Sequence, residues 1–276
     1  MEPNIFCSYS DIEKLPNKVR ALYKTHDVRI GAHSDLGRML DLCSAVEALV
    51  AECDYDELVN VCRSQRVLRT IVDCSDEAGL KEPLKRIASS PLNLASVDPS
   101  PGKDALFELD FIQYVKYRGL EAKIAEPDVV IAMPFGQYLV ACKTINSLKN
   151  VEKQLRRGYG QLEKLGNGCV ALNFEPHVCF EEPLRASSFA YVKQCLNSRL
   201  KELYETYSSL FEQKLRDGRL DGIVLQISCV ADIEESSLDL EIFTHTVYFS
   251  RSLLQSLGAR NRFNCFRSVM QGALGE

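Results

Sequence analysis

The chain of 276 residues is long enough for one large domain or two ordinary ones, and 46% hydrophobic with 26% charged residues is a composition typical of folded globular proteins. Its net charge of -5 excludes a globally basic nucleic-acid-binding protein but is compatible with a local basic patch. The sequence contains neither a membrane-span pattern nor the pattern of a secretory signal, so we expect a cytoplasmic protein without a membrane partner.

Eleven cysteines are scattered singly along the chain. No two of them have the Cys-x-x-Cys spacing, and the four histidines form no metal-binding pattern with them. We therefore expect buried thiols in a reducing compartment, and neither a disulfide framework nor a zinc site.

Residues 1–100 are predicted to form a helical N-terminal lobe, because apolar residues recur at helical spacing in 36–53 and 56–72. Three prolines and four serines in 89–103 predict a linker or a surface crossing between two lobes. The second domain is then 101–276. By analogy with other fused lobes, the first lobe is expected to serve recognition, regulation or assembly, through a protein partner or a homo-oligomer.

The second domain alternates helical and strand patterns. Helices are predicted over 105–119, 147–165 and 184–216 and at the end of the chain, and strands over 126–133, 137–145, 169–174, 221–233 and 238–249. This order predicts an α/β (or α+β) fold in which a mixed sheet is flanked by helices.

The first two strands are predicted to form a hairpin. If the chain turns about Phe135 and Gly136, Asp128 lies opposite Lys143, and strand alternation places Asp128, Ala141 and Lys143 on one face of the sheet. A carboxylate and an ammonium group then meet on an otherwise apolar surface. Taken alone, such a pair is equally well explained as a cross-strand ion pair without a chemical role.

These residues resemble the PD-(D/E)xK nuclease superfamily, whose core is restriction-endonuclease-like. The resemblance covers about 104–180, and its matching positions are Glu108 on the first helix, Asp128 after a proline on one strand, and Lys143 on the next strand. The downstream basic helix is similar at Gln154, Tyr159 and Gln161.

The resemblance implies metal-dependent hydrolysis of DNA. In it, Asp128 and Glu108 would hold Mg²⁺ (or Mn²⁺), which polarises the phosphate and lowers the pKa of the attacking water. Lys143 would orient the nucleophile or stabilise charge, and Gln161 would be a further residue of the catalytic set.

The chain departs from the family at one position, because Ala141 stands where the family has Asp or Glu two residues before the lysine. The alanine could be an engineered Glu→Ala change, in which case Ala141→Glu would give Mg²⁺- or Mn²⁺-dependent DNA cleavage. It could mark a natural pseudonuclease that binds without cutting, or the acid could have moved to Glu152 or Glu126. An accidental resemblance is the remaining possibility. In every case, metal binding is expected to be weak with Ala141.

Basic residues are concentrated in 141–165, a segment that contains six Lys or Arg residues and only two glutamates. Four fall at spacings that share much of one helical face and are predicted to contact DNA phosphates without sequence specificity: Lys149, Lys153, Arg156 and Arg157. Gln154 and Gln161 share a face and are predicted to touch substrate or a neighbouring strand, and Tyr159 to stack on a base or fill the core. The alternative is a solvated helix face.

Together these patterns predict a metal-dependent DNA endonuclease or its inactivated form, serving bacterial defence or DNA processing. The alternative prediction is a natural pseudonuclease that acts as a non-catalytic module and binds nucleic acid or protein.

Overall fold

The computed structural model describes residues 8–52, 54–177, 183–216, 218, 220–234, 240–251 and 255–272. Within them, the fold is α/β, with a mixed seven-stranded sheet flanked by helices. The α-helices are α1 Tyr9–Thr25, α2 Asp35–Ser44, α3 Val46–Glu52, α4 Tyr55–Asp73, α5 Lys81–Ser89, α6 Pro101–Tyr117, α7 Val151–Leu165, α8 Phe189–Arg216 and α9 Leu257–Met270. The strands are β1 Ala122–Ala125, β2 Asp128–Met133, β3 Gly136–Thr144, β4 Gly168–Asn173, β5 Leu184–Ala186, β6 Gly222–Ile233 and β7 Leu240–Phe249.

The N-terminal segment is helical, as predicted. Side chains of Ser8, Ser34 and Asp54 accept backbone N–H groups at the starts of α1, α2 and α4, and so satisfy donors that a helix leaves unpaired. Helix α6 begins inside the predicted linker, because Ser100 caps it and Pro101 occupies its first turn.

The sheet has the order β1-β2-β3-β4-β6-β5, and β7 pairs with β6. Strands β1 to β3 are antiparallel, β3, β4 and β6 are parallel, and β7 is antiparallel to β6. One face packs against the N-terminal helices, α6 and α9, and the other against α7 and α8. The central strands are therefore buried on both faces, which explains their nearly continuous apolar sequences.

One hydrophobic cluster extends without interruption from the N-terminal helices to the sheet. It includes Leu15 of α1, Leu68 of α4 and Val140 of β3, all fully or almost fully buried. The boundary at residue 100 stays a prediction, but residues on both sides of it contribute to the same core.

A partly buried ion cluster adds a polar connection between the same two parts. The Arg66 guanidinium of α4 donates to Glu175 Oε1 at 2.9 Å and to Asp110 Oδ2 at 2.5 Å. Thr70 donates to the second Asp110 oxygen at 2.6 Å. Burial raises the pKa of Glu175, and the positive charge of Arg66 opposes that rise. The cluster therefore ties α4 to α6 and to the segment after β4.

Two features of the sheet were not predicted. The predicted helix over 184–216 was wrong at its start, because Leu184–Ala186 forms β5 and α8 begins at Phe189. Strand β6 extends beyond its pairing with β4, and β5 satisfies backbone groups at that end. Strand β1 is only four residues long, too short for an alternating pattern to reveal it.

The cysteines behave as apolar side chains in the described part of the chain. Six of the eight cysteines placed there are buried. The other three, Cys7, Cys53 and Cys179, lie outside the described residues. No helix among the described residues combines the length and apolar character that crossing a membrane requires.

Candidate active site

The hairpin of β2 and β3 forms, but its register differs from the predicted one. Met133 pairs with Gly136, so the turn consists of residues 134–135. Gly136 has a φ of 110°, a conformation that glycine adopts without steric strain. The predicted turn about Phe135 and Gly136 was therefore wrong, and the residues paired across the hairpin differ from the predicted pairs by two positions.

This register places Asp128 opposite Ala141, since Val130 pairs with Leu139. A shift of two residues leaves every side chain on its predicted face. The hydrophobic cluster under α7 and α8 contains Val130, Leu139 and Ala141. These residues of the β2–β3 hairpin therefore share one face of the sheet, as strand alternation predicted.

Lys143 reaches Asp128 diagonally across the ribbon. Its Nζ donates to Asp128 Oδ2 at 2.7 Å, and the same oxygen accepts the backbone N–H of Cys142 at 2.7 Å. The side chains of Asp128 and Lys143 are 13% and 16% exposed. Burial raises the pKa of Asp128 to about 6, and the Lys143 ammonium limits that rise. The predicted meeting of carboxylate and ammonium is therefore present in the fold.

Glu108 on α6 is the third predicted residue of the site. It lies close enough that its charge contributes to raising the pKa of Asp128. Both of its oxygens, however, accept from the Arg86 guanidinium of α5, at 3.0 Å and 2.5 Å. Arg86 holds Glu108 in a bidentate ion pair, an arrangement that no local sequence pattern revealed because the two residues are 22 positions apart.

Asp104 is a site residue that the sequence analysis missed. It lies one helical turn before Glu108 on α6, and burial raises the pKa of its carboxyl group. The nearby Thr144 and Lys143 lower that pKa, and Glu108 raises it. The signal in the sequence was the spacing of four between Asp104 and Glu108, which places two carboxylates on the same side of one helix.

Ala141 is fully buried where α7 crosses β3. A Cβ atom built on Gly158 of α7 would lie 3.4 Å from the Ala141 Cβ and 3.0 Å from both Cγ atoms of Val170. The small residues 141 and 158 therefore allow helix and strand to pack closely, with little room for a longer side chain. This geometry favours alanine as a native part of the packing over a removed glutamate.

The two acids considered as replacements are on the surface. Glu126 precedes β2 and Glu152 lies in the first turn of α7, and both are exposed. By contrast, Asp104 is half-buried, and it lies near enough to Lys143 for the ammonium to lower its pKa. If any carboxylate substitutes for the missing acid, the geometry points to Asp104.

The residues present do not fit a bound Mg²⁺ or Mn²⁺. Among the described residues, no three His, Cys, Asp or Glu side chains are grouped so that they could hold a metal ion. The Glu108 carboxylate accepts hydrogen bonds from Arg86. Oδ2 of Asp128 accepts hydrogen bonds from Lys143 and from a backbone N–H. Ala141 contributes a methyl group where an oxygen ligand would be needed.

The basic face of α7 is solvent-exposed. We define it as the side chains of Lys153, Arg156, Arg157 and Lys164 of α7, together with Lys149 in the short 3₁₀ helix Leu148–Asn150 that precedes it. At 100° per residue the four positions on α7 fall within an arc of about 100°, and all five side chains are exposed. None of the five forms an ion pair with another residue in the described ranges. Gly160 lies within this arc, and a Cβ added there would meet no atom within 4 Å.

Gln161 connects this helix to the site. Its Nε2 donates to the carbonyl oxygen of Pro127 at 3.2 Å, next to Asp128. Gln154 lies two turns earlier on the same side of α7 and is half-buried. Tyr159 lies on a different side, packed with the α7–α8 cluster, and the Lys214 ammonium is 5.3 Å from its ring centroid. Packing accounts for Tyr159, and its predicted stacking on a base stays a prediction.

A scan of the chain against protein-family models finds no match. A search of curated proteins likewise finds no significantly similar sequence.

Proposed function

We propose that this chain is a DNA-binding protein built on a nuclease-like core, and that it holds DNA through the basic face of α7 without cutting it. The observation that carries the proposal is the exposed basic face beside Gln161, which itself contacts the residue before Asp128. Phosphate oxygens are the partners that such a face neutralises.

The order of elements supports the nuclease-like core. Helix α6 is followed by the antiparallel strands β1, β2 and β3, then by α7 and by β4 parallel to β3. The resemblance to the PD-(D/E)xK superfamily implies a helix, two strands and a basic helix in that order, and α6, β2, β3 and α7 follow it. The contact between Asp128 and Lys143, with Glu108 within electrostatic reach, agrees with the same resemblance.

Three observations argue against cleavage. Ala141 is buried under α7, Glu108 is paired with Arg86, and Asp128 is paired with Lys143. The acids are therefore neutralised by cations of the protein itself, where a hydrolytic metal site would need oxygen ligands. Such a core serves binding better than hydrolysis.

The second candidate function is the metal-dependent DNA endonuclease itself. One observation favours it, because the Glu108 carboxylate raises the pKa of both Asp104 and Asp128, and the Lys143 ammonium lowers both. Negative charge is thus concentrated at this place, as it is in catalytic sites with perturbed pKa values. The cation pairs described above make this the weaker candidate.

The proposed setting is bacterial defence or DNA processing in the cytoplasm. The frequent buried thiols support a reducing compartment, since free cysteines persist there. The helical residues before α6 are the part of the chain that we propose for contacts with a protein partner or with a second copy.

The binding surface can be tested by measuring DNA affinity as a function of salt. Arg156→Gln with Arg157→Gln should weaken binding of a fluorescent duplex by about tenfold and flatten the slope of log K against log salt by about 2, because two phosphate contacts are lost. The measurement is fluorescence anisotropy over a salt series, on duplexes of unrelated sequence.

The matched control removes two positive charges elsewhere. Lys14 and Lys18 are exposed on α1, and Lys14→Gln with Lys18→Gln changes the net charge equally. This variant should keep the slope of the unchanged protein. Equal losses in both double variants, or no loss in either, would refute α7 as the DNA-binding surface.

A further inference from the structure

A cavity of about 490 Å³ lies between the N-terminal helices and the sheet. Its walls come from α2 and α4, from residues 92–95, and from the strands β6 and β7 together with Glu175. This volume is within the range of roughly 300–1,000 Å³ typical of small-molecule sites. None of the lining residues belongs to α7 or to the Asp128–Lys143 pair, so the cavity is separate from the candidate active site.

Much of the cavity wall is apolar. Among the lining side chains are Met39, Leu42, Val67, Leu94 and Ile242. A surface of this kind holds the hydrophobic part of a ligand and excludes water from it.

The cavity is also lined by an arginine that has no counterion among the residues that the structure describes. Of its three arginines, Arg38 pairs with Asp35, and Arg66 is held by the carboxylates of Asp110 and Glu175. Arg63 forms neither an ion pair nor a hydrogen bond with the residues that the structure describes. A half-buried guanidinium in this state is suited to an anionic group of a ligand.

Helix α4 adds polar groups at a distance from Arg63. Glu57 lies six residues earlier, about 9 Å along the helix axis, and Asn60 lies between them. The Glu57 carboxylate accepts hydrogen bonds, so the cavity presents a group for an anion and a group for a donor at separate positions.

We propose that this cavity binds a small amphipathic organic anion, whose charged group pairs with Arg63, whose apolar body packs against Met39, Leu42 and Ile242, and whose hydrogen-bond donor faces Glu57. This site is additional to the DNA-binding function and does not depend on it. It would make the junction of the helices and the sheet responsive to a metabolite-sized molecule.

The test uses 8-anilinonaphthalene-1-sulfonate, which has a sulfonate, two aromatic systems and one N–H group. Titration of the full chain should give saturable fluorescence with one site. Arg63→Gln should weaken the affinity about tenfold, the effect expected when one charged hydrogen bond is lost. N-phenyl-1-naphthylamine lacks the sulfonate and should bind the unchanged chain and Arg63→Gln equally well.

Two further variants locate the binding. Met39→Trp adds bulk to the cavity wall and should abolish binding of both probes. Arg69 is on the same helix but does not line the cavity, so Arg69→Gln should leave both affinities unchanged. Equal affinity of the sulfonate probe for the unchanged chain and Arg63→Gln, or fluorescence that never saturates, would overturn the proposal. Cooperative thermal unfolding verifies that each variant is folded.

Discussion

Replacing Arg66 with methionine should lower the free energy of unfolding by about 3–5 kcal/mol, because the change leaves the buried Glu175 and the half-buried Asp110 without their counterion. The side chains of Arg66, Asp110 and Glu175 are only 14%, 18% and 7% exposed. Methionine keeps much of the side-chain volume, so the loss of stability results from the missing positive charge and not from a cavity. Urea denaturation followed by circular dichroism measures the difference.

An exposed ion pair provides the control for this experiment. Arg20 donates to Asp41 at 2.9 Å, with side chains 49% and 73% exposed. Arg20→Met should change the free energy of unfolding by less than about 1 kcal/mol, as is usual for surface pairs. Similar, small effects in both variants would show that the Arg66 cluster does not join the helices to the sheet.

Replacing Ala141 with glutamate should destabilise the protein by at least about 3 kcal/mol and should not create a nuclease. The new carboxylate would be buried under α7 beside Gly158 and opposite Asp128, so it would be both crowded and repelled by a like charge. Urea denaturation gives the stability, and incubation of the variant with supercoiled, linear and single-stranded DNA in Mg²⁺ or Mn²⁺ gives the activity.

Ala132→Glu is the matched control on the same ribbon. Ala132 of β2 is exposed and pairs with Gln137, so the substitution should change stability by about 0.5 kcal/mol or less. If Ala141→Glu were as stable as this control and cut DNA, the alanine would be a removed catalytic acid, and the native-packing interpretation of position 141 would be wrong.

Most helices and strands could be predicted from the sequence because their apolar residues recur with a clear period. The alternating and continuous apolar runs of β2, β3 and β6 predicted strands, and the faces of Asp128 and Ala141 followed from strand alternation. The register did not follow, since a two-residue turn at 134–135 and a turn about Phe135 and Gly136 fit the same composition. The segment 133–137 contains neither Asn-Gly nor Asp-Gly, the pairs that mark a two-residue hairpin turn, so the sequence left the position of the turn open.

The partners of the acidic residues could not be predicted. Arg86 binds Glu108 across 22 positions, and Arg66 binds Glu175 across 109. Such pairs depend on how α4, α5 and α6 pack, which is a tertiary property. Asp104 was within reach of sequence reasoning, because a carboxylate four residues before Glu108 on one helix shares its face.

The most direct test of binding without cleavage measures DNA binding and DNA cleavage in the same sample. The unchanged chain is incubated with fluorescently labelled duplex DNA in Mg²⁺ and then in Mn²⁺, and native and denaturing gels are run from the same tube. We predict a retarded complex whose DNA strands remain full length. Shortened strands that disappear with Lys143→Ala would contradict the account and establish the endonuclease, and the absence of any retarded complex would contradict the DNA-binding function.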